Sequence, residues 1–281
     1  AITCFVPMWF ALLMGAKYLA QQLPACHTAL YYPLCMAVMV LWPMFLWPAT
    51  HGMPDAFGLT FAAVIALLCA DYRFETLPWP RLLAIFAATF ALILTRRWYM
   101  FWILAFYAVY VLAVLVGAVR RKTLGSTLKH MLLFGVPSAV IIVGALLPTF
   151  KTILTTDYAD IYGAYYGGGF GNNCLGQLRT QGLIWLVLCA AGLVWLLYYR
   201  STRAQAIVAA AASLGAMVLF TRTQSLGDHQ SLILAPFYLL MLFGLCAKLT
   251  QQKAKPWLRN AAAGVLAVFL VVNFGNALRL P

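Results

Sequence analysis

Long apolar runs recur along nearly the whole sequence, and they constrain the fold more than any other feature. About ten can be traced, at roughly 1–19, 29–48, 56–70, 82–95, 98–119, 131–148, 183–199, 205–220, 231–247 and 261–278. Charged residues make up only 9% of the chain, which excludes a soluble enzyme and a nucleic-acid partner. We therefore expect an all-α, polytopic transmembrane helical bundle of about ten spans with short loops.

The distribution of basic residues predicts how this bundle is oriented. The chain has 19 Lys plus Arg against 6 Asp plus Glu. If the loops alternate across the membrane, thirteen basic residues fall on the side of segments 71–81, 120–129, 200–204 and 248–260, and six on the other. Lys and Arg gather in cytoplasmic loops, so the first side is assigned as inner. We expect a multi-pass protein of a bacterial inner (plasma) membrane.

Residues 1–281 are interpreted as a single transmembrane domain. Because the sequence begins at Ala1 inside an apolar run, we expect it to be the C-terminal part of a longer chain. Segment 149–182 is predicted to be the one longer outer-face loop, with an interfacial helix over 157–166. The glycine-rich stretch 167–173 should then form a flexible turn. A mobile substrate loop and a plain interfacial helix remain alternatives.

The outer loops carry the charges that topology does not explain. They hold four of the six acidic residues and the six basic residues that depart from the positive-inside pattern. Such charges indicate a functional site, with polar connecting turns and snorkelling anchors as the alternatives. The planar guanidinium of Arg can bind a phosphate through two hydrogen bonds, and Asp and His can act as general acids or bases. The candidate residues are His51, Asp55, Arg96, Arg97, Asp157, Tyr158, Asp160, Arg222, Gln224, Asp228 and His229.

Three outer segments, 96–99, 157–166 and 222–230, carry a family resemblance. Together with the architecture of the whole chain, they resemble the GT-C-type integral-membrane glycosyltransferases, polyprenyl-phosphate-sugar-dependent enzymes of the protein mannosyltransferase-like superfamily. Such enzymes usually carry a catalytic acid in the first outer loop. No acid follows an initial span in that way here, which agrees with a C-terminal part.

The resemblance implies a direct displacement at the extracytoplasmic face. A carboxylate takes a proton from an acceptor hydroxyl, the oxygen attacks the anomeric carbon, and basic side chains stabilise the departing lipid phosphate. The catalytic acids would be Asp55, Asp157, Asp160 and Asp228. Donor and phosphate binding would fall to Arg222, Arg96, Arg97, His229, Gln224, His51 and Tyr158.

The implied partners are a polyprenyl-phosphate-linked sugar, a lipid or glycan acceptor, and membrane lipids. A divalent cation is compatible with this chemistry, although no ligand set in the sequence requires one. Two other classes stay open: a transporter or flippase of lipid-linked envelope precursors, and a non-catalytic membrane scaffold. The near absence of charge in the middle of the spans argues against a transporter.

Overall fold

Helices form all the regular elements in the part of the chain that the structure describes. This computed structural model describes residues 2–42, 55–96, 98–155, 169–221 and 230–277. The helices are α1 (Ile2–Gln22), α2 (Thr28–Leu41), α3 (Asp55–Cys69), α4 (Trp79–Thr95), α5 (Tyr99–Arg121), α6 (Leu124–Ala145), α7 (Leu147–Thr155), α8 (Gly169–Gln181), α9 (Leu183–Tyr198), α10 (Arg203–Thr221), a 3-10 turn (Gln230–Leu234), α11 (Ala235–Leu249) and α12 (Pro256–Ala277). The expectation of an all-α chain is confirmed for these ranges.

Five of the described helical segments are long and apolar enough to cross a membrane. They are Tyr99–Arg121, Leu124–Ala145, Arg203–Thr221, Gln230–Leu249 and Pro256–Gly275. The pair α8 and α9 meets the same criteria together, but it is bent by 101° and counts as a sixth span only if the two helices form one span. The chain is thus a multi-pass membrane protein by helix length and composition, and the expected ten spans are not confirmed.

Short helices account for part of the difference in span number. The apolar runs near the start of the chain fold as α2, α3 and α4, which have 14, 15 and 17 residues. At a rise of 1.5 Å per residue these helices are only about 21–26 Å long, less than the roughly 30 Å of a bilayer core. An apolar run shows that a segment avoids water, but its helical length decides whether it can span the bilayer alone.

Small residues allow the central helices to pack closely. On α9, a Cβ added at Gly192 would lie 1.9 Å from the carbonyl oxygen of Met241 on α11. On α10, a Cβ at Gly215 would lie 3.2 Å from the Cβ of Ala105 on α5. Close approach at small residues is a general mode of helix association in membranes. These contacts show that α9 and α11, and likewise α5 and α10, cross closely.

One end of the bundle gathers the loops that are rich in basic residues, and we call it the basic end. There Ser201 Oγ donates a hydrogen bond to the carbonyl oxygen of Gln22 at 2.6 Å. The backbone N–H of His27 donates to the carbonyl oxygen of Thr250 at 2.7 Å. These contacts join the loops after α1, α9 and α11. The alternation of loops assumed in the sequence analysis therefore holds for this end.

The loop between α3 and α4 belongs to the same end. Arg121 at the end of α5 donates through Nε to Glu75 Oε1 at 2.6 Å. Burial raises the pKa of the Tyr72 hydroxyl to about 12, although the guanidinium of Arg81 acts in the opposite direction. The neutral phenol donates to the carbonyl oxygen of Thr76 at 2.7 Å. This loop is thus held by its own polar contacts.

The two-ended arrangement predicts which positions are reached from each side of the membrane. In a background with Cys4 and Cys174 changed to Ser, we expect Arg179→Cys to react with an impermeant maleimide added outside sealed cells. Lys253→Cys, at the basic end, should react only after the cells are opened. Both native side chains are exposed. Labelling of both positions from the same side would contradict this topology.

Candidate functional site

A buried ion pair lies at the end of the bundle opposite the basic end. Arg96 donates to the Asp55 carboxylate through Nε, at 3.1 Å from Oδ1, and through Nη2, at 2.9 Å from Oδ2. The Asp55 side chain is 2% exposed and that of Arg96 is 24% exposed. Two parallel N–H···O bonds fix the guanidinium plane as well as its distance. A charged pair buried among apolar helices is a functional-site candidate by itself.

The α3–α4 hairpin brings these two residues together although 41 positions separate them. Asp55 is the first residue of α3, and Arg96 directly follows the last residue of α4 in an extended conformation. The helices run antiparallel, so the start of one meets the end of the other. An acid at a helix N-terminus and a base at a C-terminus also complement the helix dipoles.

Aromatic rings surround the pair on the side of α5 and α10. The hydroxyl of Tyr99 donates to the backbone oxygen of Asp55 at 3.1 Å. The Cζ of Arg96 lies 5.8 Å from the centre of the Trp98 ring, and this ring lies 6.2 Å from that of Phe220. A guanidinium over an aromatic face gains further stabilisation. The charge is therefore held by a carboxylate, a ring and low-dielectric surroundings.

A second polar cluster lies on α8, whose buried side chains are polar. Asn173, Gln177 and Gln181 are four residues apart, so they share one helix face, and all three are buried. Phe170 and Leu175 are exposed instead. A surface helix of a soluble protein buries its apolar side chains and exposes its polar ones, whereas α8 does the opposite. We call the three buried side chains the amide ladder.

The amide ladder is anchored by hydrogen bonds to several helices. Gln177 Nε2 donates to Ser231 Oγ at 2.6 Å, and Asn173 Nδ2 donates to Thr221 Oγ1 at 2.8 Å. Gln181 Oε1 accepts a bond of 2.9 Å from the indole N–H of Trp42. Buried amides need such partners, because an unsatisfied polar group in an apolar core is costly. The ladder thus ties α8 across the end of the bundle.

Segment 222–229 is flanked on both sides by residues that these bonds hold. It begins directly after Thr221 and ends directly before the 3-10 turn, and the ladder holds both flanks through Asn173 and Gln177. The 3-10 turn also packs against α3, which carries Asp55. The described residues that flank this polar segment therefore lie at the same end of the bundle as the ion pair.

No known family model, curated protein or solved structure matches this chain. The site is therefore interpreted from its own geometry. Among the residues that the structure describes, no three His, Cys, Asp or Glu side chains are grouped so that they could hold a metal ion. At this end of the bundle, the contacts described above involve a guanidinium, a carboxylate, amides and hydroxyls.

Only two of the predicted site residues fall within the described ranges, and they contact each other. Asp55 was predicted to be a catalytic acid and Arg96 a phosphate ligand, and the structure joins them in one ion pair. Both carboxylate oxygens of Asp55 accept bonds from Arg96, so we interpret Asp55 as a residue that positions Arg96. The other candidates lie outside the described residues: His51, Arg97, Asp157, Tyr158, Asp160, Arg222, Gln224, Asp228 and His229.

The sequence interpretation of segment 149–182 is corrected at both ends. Residues 169–173 were expected to form a flexible turn, but they open helix α8, and residues up to Thr155 form α7. The predicted interfacial helix at 157–166 lies outside the described residues. The chain turns sharply instead at Gly182, whose φ of +81° suits glycine. The amide ladder was missed, although its spacing of four was visible in the sequence.

Proposed function

We propose that this protein is a membrane glycosyltransferase that moves a sugar from a polyprenyl-phosphate donor to an acceptor at the extracytoplasmic face. The observation that carries the proposal is the buried pair of Arg96 and Asp55 at the end of the bundle opposite the basic end. The Asp55 carboxylate is 2% exposed and the Arg96 side chain 24% exposed, and a charged pair that a membrane protein keeps in such a position is a functional-site candidate. A lipid phosphate at the membrane surface is a fitting anionic ligand for the Arg96 guanidinium.

In this proposal Arg96 stabilises the charge that develops on the departing lipid phosphate. Asp55 holds the guanidinium in one orientation, so little reorganisation is needed during the reaction. Low-dielectric surroundings, including the ring of Trp98, strengthen the interaction with a phosphate relative to water. Arg96 is partly exposed, which leaves it accessible from the membrane surface.

The remaining steps would fall to the segments that the sequence analysis assigns to the outer face. One of Asp157, Asp160 and Asp228 would take the proton from the acceptor hydroxyl as its oxygen bonds to the anomeric carbon. The bond between that carbon and the phosphate oxygen breaks, and polyprenyl phosphate leaves with the electron pair. Arg222 and Arg97 would add positive charge beside Arg96. His51, Gln224, His229 and Tyr158 would orient sugar hydroxyls.

The experiment must distinguish a glycosyltransferase from a transporter of lipid-linked precursors, which is the alternative function. Within the described helices, the charged side chains lie near the helix ends, with Lys17 five residues before the end of α1. Transporters commonly place polar or ionisable groups near the bilayer midplane. This distribution favours chemistry at one face over movement of a charged group across the bundle.

The direct experiment follows both reactions in one preparation. Purified protein is placed in proteoliposomes with polyprenyl phosphates that carry labelled hexoses or pentoses, and a membrane lipid extract supplies the acceptors. We expect label to move from the polyprenyl phosphate to an acceptor. Movement of the intact donor between leaflets without transfer would assign a transporter instead. If the preparation shows neither sugar transfer nor donor movement with every donor tested, the proposal is overturned and a non-catalytic scaffold remains.

A further inference from the structure

A large cavity opens at the basic end and is separate from the proposed transfer site. Its volume is about 810 Å³, and it lies among α1, α3, α5, α10 and α11. Its lining is mostly apolar and includes Leu12, Phe106 and Phe243. Along α5 it reaches from Arg121 to Phe106, a length of about 22 Å at 1.5 Å per residue. This exceeds half of the roughly 30 Å bilayer core, so an extended acyl chain from one leaflet fits.

The cavity is also open to the side, toward the surrounding lipid. Leu112 and Val116 of α5 and Ile207 of α10 line it, and all three are exposed on the surface of the bundle. They lie within helices long and apolar enough to span the membrane. A lipid could therefore enter laterally from the bilayer without passing through water.

The mouth of the cavity is strongly basic. Arg73, Arg120, Arg121 and Arg200 line it, against a single carboxylate, that of Asp71. Asp71 is already paired with Arg81, and Arg121 with Glu75. The other three arginines of the mouth form no ion pair with the described residues.

We propose that this cavity binds one anionic membrane lipid from the leaflet at the basic end. Its phosphate headgroup would lie among Arg73, Arg120 and Arg200, and one acyl chain would occupy the apolar cavity. Charge complementarity favours a lipid over a helix of a partner protein, because unpaired guanidinium groups bind phosphate through charge-assisted hydrogen bonds. Tyr18 and Gln205 supply further polar groups at the mouth. The proposal does not depend on the transferase function.

By the positive-inside rule alone, the arginines at the mouth of the cavity would only fix the orientation of the helices in the membrane. The experiment must exclude this alternative. The groove variant combines Arg73→Gln, Arg120→Gln and Arg200→Gln. The matched control combines Lys122→Gln, Lys253→Gln and Lys255→Gln, which removes the same charge from exposed positions at the same end. None of the three control residues lines the cavity.

A third variant fills the cavity without changing charge. Gly15 lines the cavity on α1, and a Cβ added there would meet only a side-chain atom of Leu67, at 4.0 Å. Gly15→Leu should therefore fold, since leucine also has the higher helix propensity. Its side chain would occupy space that the acyl chain needs. Circular dichroism and gel filtration would check that each variant is folded.

Binding of phosphatidylglycerol and of phosphatidylcholine is measured by native mass spectrometry of the delipidated protein during lipid titration. We expect the parent to bind phosphatidylglycerol about tenfold more tightly, because several arginines act on its net charge. The groove variant should lose this preference, Gly15→Leu should weaken both lipids, and the matched control should bind like the parent. The proposal is overturned if the control and groove variants lose the preference for phosphatidylglycerol equally, or if Gly15→Leu binds both lipids normally. It is also overturned if the protein forms a dimer that excludes lipid from the cavity.

Discussion

Replacing Asp55 with Ala should lower the free energy of unfolding by about 3–5 kcal/mol, the usual cost of removing one partner of a buried ion pair. The loss arises because the Arg96 guanidinium, whose side chain is 24% exposed, keeps its charge without the Asp55 carboxylate, which is 2% exposed in the native protein. The change can be measured by SDS titration of the protein in mixed micelles, with helix content as the signal.

Two controls show whether the buried charge causes this loss. Asp71→Ala removes a carboxylate that is 60% exposed and is paired with Arg81 at the basic end. That change should cost less than about 1 kcal/mol, since exposed ion pairs contribute little. The double change Asp55→Leu with Arg96→Met should recover most of the stability, because it removes both charges together. If Asp55→Ala costs no more than Asp71→Ala, the pair is not structurally important.

Replacing Gly192 with Val should cost about 3 kcal/mol or more, at the upper end of overpacking effects. A Cβ at this position would lie 1.9 Å from the carbonyl oxygen of Met241, an atom of the α11 backbone that no rotamer change can move. Helices α9 and α11 would have to separate. The same unfolding titration measures the loss, and α11 is the most buried of the candidate spans, so its displacement would affect the whole bundle.

A series of glycine changes provides the comparison. At Gly244 of α11, an added Cβ would be 2.7 Å from Cγ of Leu196, a flexible side chain, so Gly244→Ala should cost less than Gly192→Ala. At Gly264 of α12, nothing lies within 4 Å, and Gly264→Ala should be neutral or slightly stabilising. Equal effects at all three positions would contradict the close crossing of α9 and α11.

The sequence predicted the helical class and the two-sided charge pattern because these depend on composition and loop order. It also selected Asp55 and Arg96, since charged residues beside apolar runs stand out. It did not pair them, because their contact depends on how α3 and α4 lie against each other. Neither residue type nor spacing indicates a contact across 41 positions.

The amide ladder and the cavity at the basic end were not predicted from the sequence. The amide ladder of α8 carried a readable signal, the spacing of Asn173, Gln177 and Gln181, but the neighbouring glycines favoured a turn. Tertiary hydrogen bonds to Thr221 and Ser231 outweigh that local preference. The cavity at the basic end left no signal of its own, because it is a gap between helices that are distant in sequence.

Comparing Arg96→Lys with Arg179→Lys in the sugar-transfer assay shows directly whether Arg96 acts on the departing phosphate. Both changes keep the charge, but lysine lacks the planar fork that Arg96 uses on Asp55, whereas Arg179 is exposed on α8. We predict that Arg96→Lys lowers the rate of sugar transfer about a hundredfold but keeps normal helix content. Arg179→Lys should keep a rate within about twofold of the parent, a difference well below the 1.4 kcal/mol that corresponds to a tenfold change. Full transfer by Arg96→Lys, or equal losses in both variants, would contradict the assignment of Arg96 to the departing phosphate.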